Sequence, residues 1–396
     1  MVDYINKFDI ELAKPVWYAG EELTGHVIVD STENFKVRGI RVHLRGRGHV
    51  EWKVSRSGER HSVKEDQVYL DSKTTVWGIE KGLEPGGNDA LPILPRGAHK
   101  WQFSFPLPES ALPPSFESRT CTVRYYLRCI IDVPYASNPS HITYFTVIGP
   151  YSDCMETRYL CPTCMEISSH TCPCLPLMKP LRLSGTLERS AYCCGEHIKL
   201  RCQVANDTDR QLRISVKLVQ DCCFFINQGV LGICKEFQHV AFEYRSDLIR
   251  ARQSVDWDLS SFLLLPPVPP TIPEGFCRLM QIGYTLRVNL VRDGKAPTNL
   301  CLDFPFTIAT LPFRIPNVAV PPVVFQTAVE SVEGGMYISP AFTLGQVYDG
   351  TEGAESGVLY QPVYPTVMKN PAKLERQRLA SIANGLNDCA EKVSSV

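Results

Sequence analysis

The chain is 396 residues long, 44% apolar and 21% charged, with a net charge of -1 and a sequence pI of about 6.7. That length holds two cores and a tail, and the near-neutral balance excludes the broad basic surface by which proteins grip nucleic acid. The 30 prolines exclude a helix-rich body, and neither a signal-length apolar run near Met1 to Ile10 nor a membrane-span stretch is present.

The first strand-like run is Phe8-Asp9-Ile10-Glu11-Leu12, followed by Trp17-Tyr18-Ala19-Gly20-Glu21-Glu22-Leu23 and the apolar Val27-Ile28-Val29. Ile40-Arg41-Val42-His43-Leu44-Arg45 then alternates strictly, which puts aliphatics on one face and charges on the other, as in a half-buried antiparallel strand. Trp101-Gln102-Phe103-Ser104-Phe105 leads into a proline-rich corner, Leu112-Pro113-Pro114-Ser115-Phe116-Glu117, and the strand-like residues 122–130 follow. These runs predict a first β-sandwich over residues 5–148.

Residues 149–177 read as an irregular, cysteine-rich linker. Cys154 precedes Cys161-Pro162-Thr163-Cys164, then His170 and Cys172-Pro173-Cys174. Two close pairs of thiolates suit tetrahedral zinc, but the second pair is C-x-C and the spacer is shorter than in ordinary zinc ribbons. Reduced, loop-borne thiols are the favoured reading, palmitoylation is a further alternative, and no metal or cofactor is assigned. A redox role for Cys161 and Cys164 lacks the strand-and-helix setting that lowers a thiol pKa. The 16 cysteines of a chain without a secretion signal are expected to be reduced, as in the cytosol.

The opening then recurs. Leu181-Arg182-Leu183-Ser184, Ala191-Tyr192-Cys193-Cys194-Gly195-Glu196-His197-Ile198 and residues 200–204 repeat the first sequence of runs, with the two Gly-Glu pairs 175 positions apart. Leu212-Arg213-Ile214-Ser215-Val216-Lys217-Leu218 supplies the second alternating strand. Leu265-Pro266-Pro267-Val268-Pro269-Pro270 and then Ile282-Gly283-Tyr284-Thr285-Leu286 repeat the proline corner and its tyrosine-bearing strand. A repeat of this length is a domain rather than a solenoid unit, so residues 178–311 are expected to form a second sandwich. Residues 312–396 have little to bury and are expected to be a flexible tail. Within it, Lys373 to Leu386 carries Leu374, Leu379, Ile382 and Leu386 as either a short amphipathic helix or a fraying solvated segment.

At this point the chain resembles the α-arrestins, or arrestin domain-containing proteins. The residues that carry the resemblance are Gly20-Glu21 before Leu23-Thr24-Gly25-His26-Val27, Val37-Arg38-Gly39-Ile40-Arg41-Val42 leading to Trp52, the corner Leu112 to Glu117 with Val123-Arg124-Tyr125-Tyr126, and Leu265 to Ile272. The resemblance covers residues 5–311 in order and spacing. It implies an all-β fold, two tandem immunoglobulin-like sandwiches forming a concave arrestin-like adaptor. It further implies recruitment of HECT-type ubiquitin ligases to membrane cargo such as receptors, and hence endocytosis and sorting. The expected location is the cytoplasm, with recruitment to plasma membrane and endosomes.

The family engages ligase WW domains through Pro-Pro-x-Tyr, in which a pre-extended polyproline segment loses little entropy and its prolines slot between aromatic rings. The tail here carries only Gln361-Pro362-Val363-Tyr364. Losing one proline contact costs on the order of 1 kcal/mol, so Pro362, Val363 and Tyr364 stand as a degenerate WW-binding motif, with an ordinary tail tyrosine as the alternative. A thioredoxin-binding branch uses a cysteine before a domain-two tryptophan, but Gln253-Ser254-Val255-Asp256 precede Trp257, so that activity is not expected. A retromer-type structural subunit and a receptor-desensitising arrestin are the alternatives. The tail shows no sign of the anchoring strand that the latter requires.

No nucleophile-and-base pattern or phosphate-loop spacing occurs, so no catalytic site is assigned and the chain is not expected to be an enzyme. One electrostatic feature is a candidate site. Arg41, His43 and Arg45, flanked by Lys36, Arg38 and Arg47, line the polar face of one strand as a possible contact for phosphorylated cargo or acidic lipid. The alternative is a solvated face that discourages edge pairing.

Overall fold

A computed structural model describes residues 4–56, 58–80, 91–109, 112–149, 151–169, 181–228, 232–292, 297–334 and 361–368. The first half holds β1 (Ile5–Leu12), β2 (Val16–Tyr18), β3 (Glu22–Ser31), β4 (Phe35–Lys36), β5 (Gly39–Arg56), β6 (Glu59–Gly78), β7 (Ile93–Leu94), β8 (Gly97–Pro106), β9 (Phe116–Glu117), β10 (Cys121–Asp132) and β11 (Ser140–Ile148). The second holds β12 (Thr163–Ser168), β13 (Leu181–Leu187), β14 (Ala191–Tyr192), β15 (Leu200–Asn206), β16 (Leu212–Ile226), β17 (Ile233–Arg245), β18 (Gln253–Asp258), β19 (Met280–Arg292) and β20 (Pro297–Ile308). β21 (Val323–Gln326) and β22 (Tyr364–Val367) follow, and the only helical turn among the described residues is a 3-10 turn at Thr157–Tyr159.

Each half is a sandwich. In the first, the sheet β1-β3-β8 faces β2-β11-β10-β5-β6, with β9 paired to β10; in the second, β12-β13-β15-β18 faces β14-β20-β19-β16-β17. Alternation drives the stacking: β3 buries every second residue from Leu23 to Val29, and β19 does so from Met280 to Leu290.

The duplication extends to hydrogen bonds. Gly20 and Gly195 both adopt positive φ, 85° and 81°, which turns the chain so that the following glutamate points back. Glu21 Oε2 accepts from the Tyr18 amide at 2.7 Å, and Glu196 Oε2 from the Cys193 amide at 2.8 Å. A cation seven residues earlier completes each turn, since Lys14 meets Glu21 and Arg189 meets Glu196. Those cations also sit over Trp17 and Tyr192, 4.6 and 4.1 Å from the ring centres. The strand entering each turn pairs in parallel with the last strand of its sandwich, β2 with β11 and β14 with β20. The proline corners close alike, because Tyr125 Oη donates to the Pro113 carbonyl at 2.8 Å and Tyr284 Oη to that of Pro269 at 2.7 Å.

The two cores join into one apolar cluster running from Ile5 to Tyr364. At the seam the rings of Phe116 and Phe224 lie 6.0 Å apart, Tyr69 Oη is 3.3 Å from Cys277 Sγ, and Arg278 pairs with Glu65 at 3.1 Å.

Two expected boundaries need correction. Residues 163–168 of the expected linker are β12, antiparallel to β13 along its whole length, because Met165 and Ile167 pack on the second core. Parts of the expected flexible tail are also packed. Ala328, Val332, Tyr364 and Val367 are buried, and β21 pairs with β22. Residues 335–360 and 369–396, the latter including Lys373 to Leu386, lie outside the described residues.

Candidate functional site

Two features could serve as a site: the polar face of the β2-β11-β10-β5-β6 sheet, and the docked tail strand β22. On the first, register sets Arg41, His43, Arg45 and Arg47 of β5 opposite Ile130, Arg128, Tyr126 and Arg124 of β10. On the other side β6 places Thr75, Lys73, Asp71 and Val68 beside the same four residues. A cleft of about 450 Å³ opens at one end, lined by Arg41, His43, Lys73, Ile130, Asp132 and Asn138.

The three expected contact residues are not equivalent. Arg41 is only 9% exposed and donates to Asp132 Oδ2 at 2.6 Å and to the Ile79 carbonyl at 3.2 Å, so its guanidinium is engaged within the fold. Arg38 shares the same carboxylate at 3.2 Å. Burial, then Lys73 and Arg45, push the His43 imidazole down to about 4, and its Nδ1 is buried without a hydrogen-bond partner. His43 is therefore uncharged at neutral pH. Arg45 is half-buried, in register with the exposed Asp71. Arg128 and Lys73, which sequence reasoning did not select, join it from adjacent strands, because strand pairing brings together residues dozens of positions apart. Arg124, next along β10, is held through Nε by Glu117 Oε2 at 2.8 Å and by a second contact through Nη2, both side chains being buried. Burial pushes the Glu117 carboxyl up, and the guanidinium pulls it back.

The tail strand is the second feature. Tyr364 is fully buried, and its hydroxyl donates to the Ser115 carbonyl of the first sandwich at 3.2 Å and to that of Gly334 at 3.4 Å. Thr366 bridges Cys194 of the second sandwich, and the Val367 amide donates to the Cys194 carbonyl at 2.7 Å. A Cβ at Gly195 would come within 2.1 Å of the Val367 carbonyl, so the duplicated glycine also admits the strand. The preceding segment is clamped as well, since the Glu333 amide donates to Gln220 Oε1 at 2.8 Å. Pro362 is buried and Val363 half-buried, and the motif Pro362-Val363-Tyr364 runs into β22, whose first residue is the buried Tyr364. Sequence reasoning found no anchoring strand because four residues interrupted by Pro365 carry no legible period.

The thiols divide by burial. Cys161 and Cys164 are exposed, and Cys164 Sγ lies 3.5 Å from Thr186 Oγ1. Cys172 and Cys174 lie outside the described residues, and no three metal-ligating side chains come together among those described. Cys154, Cys194 and Cys202 are buried, which pushes each thiol up to about 12 and leaves it unreactive at neutral pH. Cys202 is the register partner of Trp257. No helix among the described residues is long and apolar enough to cross a membrane.

Two fused sandwiches with an internal duplication and a strand strapping them together define a bilobed all-β scaffold. Family models described as Arrestin (or S-antigen), N-terminal domain and C-terminal domain match residues 7–153 and 178–313. The chain belongs to the arrestin family, on its α-arrestin branch, and like its relatives is an adaptor and not an enzyme. It is 24% identical over 308 residues to mouse "Arrestin domain-containing protein 4", covering 76% of this chain and 70% of that one. It is 23% identical over 323 residues to "Arrestin domain-containing protein 17" of Caenorhabditis elegans, covering 78% and 71%. It is 22% identical over 313 residues to mouse "Thioredoxin-interacting protein", covering 78% and 75%.

Proposed function

We propose that this arrestin-family adaptor works in the cytoplasm, joining membrane cargo to the endocytic machinery and a HECT-type ubiquitin ligase, with recruitment to plasma membrane and endosomes. The observation that carries the cargo half is the non-core face on which Arg45, Arg128 and Lys73 converge beside a polar cleft. Acidic or phosphorylated cytoplasmic tails complement such a face, guanidinium forks being suited to bidentate oxyanions. The ligase half rests on Pro362, Val363 and Tyr364, which a WW domain reaches only after β22 leaves its seat, because the ring it must grip is buried.

The test is proximity labelling of the intact chain beside two variants, Arg45→Glu/Arg128→Glu and Pro362→Ala. The charge-reversed variant is expected to lose membrane-protein neighbours, and Pro362→Ala to lose ligase neighbours. Unchanged membrane neighbours in the first variant would remove the cargo face, and ligase absent from the intact chain's neighbours would remove the ligase link. A second reading has an observation of its own. With Tyr364 wholly inside, the tail strand would be purely structural, as in a constitutive retromer-type subunit, and the ligase-free outcome would favour it.

A further inference from the structure

Residues 313–322 cross the second sandwich and leave a groove of about 640 Å³ between themselves and the turn at Glu196. One side is apolar, with Phe313, Ile315, Val318, Val320, Pro322 and Met368 lining it, while Glu188, Arg189, Glu196, His197 and Lys199 also line the groove. Ile315, Val318 and Val320 are 58%, 58% and 57% exposed, three uncovered aliphatics within six residues. The floor is rigid. The Phe313 amide donates to Glu196 Oε1 at 3.2 Å, and Arg189 lies 4.5 Å from the Phe313 ring centre. An exposed patch of this kind calls for a cover.

The course of the chain names the cover. The Met368 amide donates to the Pro322 carbonyl at 2.9 Å, so the last described residue is fastened to the groove wall. The sequence continues through residues 369–396, outside the described residues, and its next apolar positions are Leu374, Leu379, Ile382 and Leu386. Leu379, Ile382 and Leu386 follow at intervals of three and four, which places them on one helical face. Asn370-Pro371 supplies a start signal. A helix of that length spans about 20 Å, and the few residues after Met368 reach no farther than about 20 Å when extended. An apolar helical face is thus tethered within reach of the groove at high effective concentration.

We propose that this groove is the docking site for residues 373–386 of the same chain, which lay their Leu379, Ile382 and Leu386 face onto Ile315, Val318 and Val320. The interaction extends the anchorage of β22 by a further segment, and it is independent of the ligase and cargo readings.

The test places a benzophenone photo-crosslinking amino acid at position 379 of the full chain and maps its adducts by mass spectrometry. Adducts within residues 313–322 of the same molecule are expected, with a yield independent of protein concentration. Charging the wall with Val318→Asp/Val320→Asp, both exposed positions whose replacement spares the core, should lower that yield about tenfold or more. In the unlabelled chain, Ile382→Asp should speed amide exchange over residues 374–386 by a similar factor, about tenfold. Adducts that join two chains in proportion to concentration would assign the groove to a second copy and overturn the proposal. So would adducts elsewhere in the chain, no adducts at all, or a yield indifferent to the charged wall.

Discussion

Arg124 and Glu117 form a two-pronged ion pair with side chains only 6% and 1% exposed. Their mutual attraction offsets the cost of taking both charges out of water, so removing one partner leaves the other buried and uncompensated. Arg124→Met is expected to destabilise the protein by about 3–5 kcal/mol in urea unfolding, whereas Arg124→Met with Glu117→Leu should recover most of that loss. Equal losses in both variants would show that the pair's charge is not what the site depends on. His43 gives a prediction about pH. Its imidazole is held at about 4 against an ordinary 6.5, so the unfolded chain binds the proton first. The stability that the neutral ring contributes is complete above the unfolded value and is lost as pH falls through that window. His43→Gln should flatten the acid limb of a thermal-unfolding profile between those two values, and an unaltered limb would rule the histidine out as its source.

At the scale of the element, the strand 364–367 has four residues and one partner strand, too little to persist alone. Its persistence comes from Tyr364, whose ring fills the seam and whose hydroxyl satisfies a carbonyl on the opposite sandwich. Tyr364→Phe forfeits that bond at a cost of about 1 kcal/mol, and Tyr364→Ala adds a cavity for a total of about 3–5 kcal/mol. Hydrogen exchange over residues 323–326 should speed up in the same order, because those residues are its ladder partner. Exchange there that is blind to both substitutions would mean that the ring does not seat the strand. This element also marks the limit of legibility. Strands such as residues 40–45 and 212–218 declared themselves because aliphatics alternate with charges over a solvent-facing sheet. The strand at Tyr364 is covered on all sides by parts of both domains, and no local pattern reports such an environment. The surroundings of the expected basic stripe were illegible for a related reason: the sequence around Arg41 cannot display Asp132, which pairs with it from 91 positions away.

For the whole molecule, the duplication was readable down to its chemistry. Lys14-x-x-Trp17-x-x-Gly20-Glu21 and Arg189-x-x-Tyr192-x-x-Gly195-Glu196 keep the cation, the ring, the left-handed turn and the returning carboxylate at identical spacing. What differs is use, since only the second copy opens its glycine to an incoming strand. The joining of the halves was not readable, because its contacts pair residues far apart in the chain, such as Glu65 of β6 with Arg278 and Phe116 of β9 with Phe224 of β16. Tyr364 and Ser115, bonded across that seam, are 249 residues apart. Synthesis proceeds from the amino end and domains tend to fold as they emerge. The bond between Ser115 and Tyr364 therefore waits until the second sandwich has also been made. A nascent chain halted between Ile308 and Tyr364 carries the strands of both lobes but not the bond that Tyr364 makes across their seam.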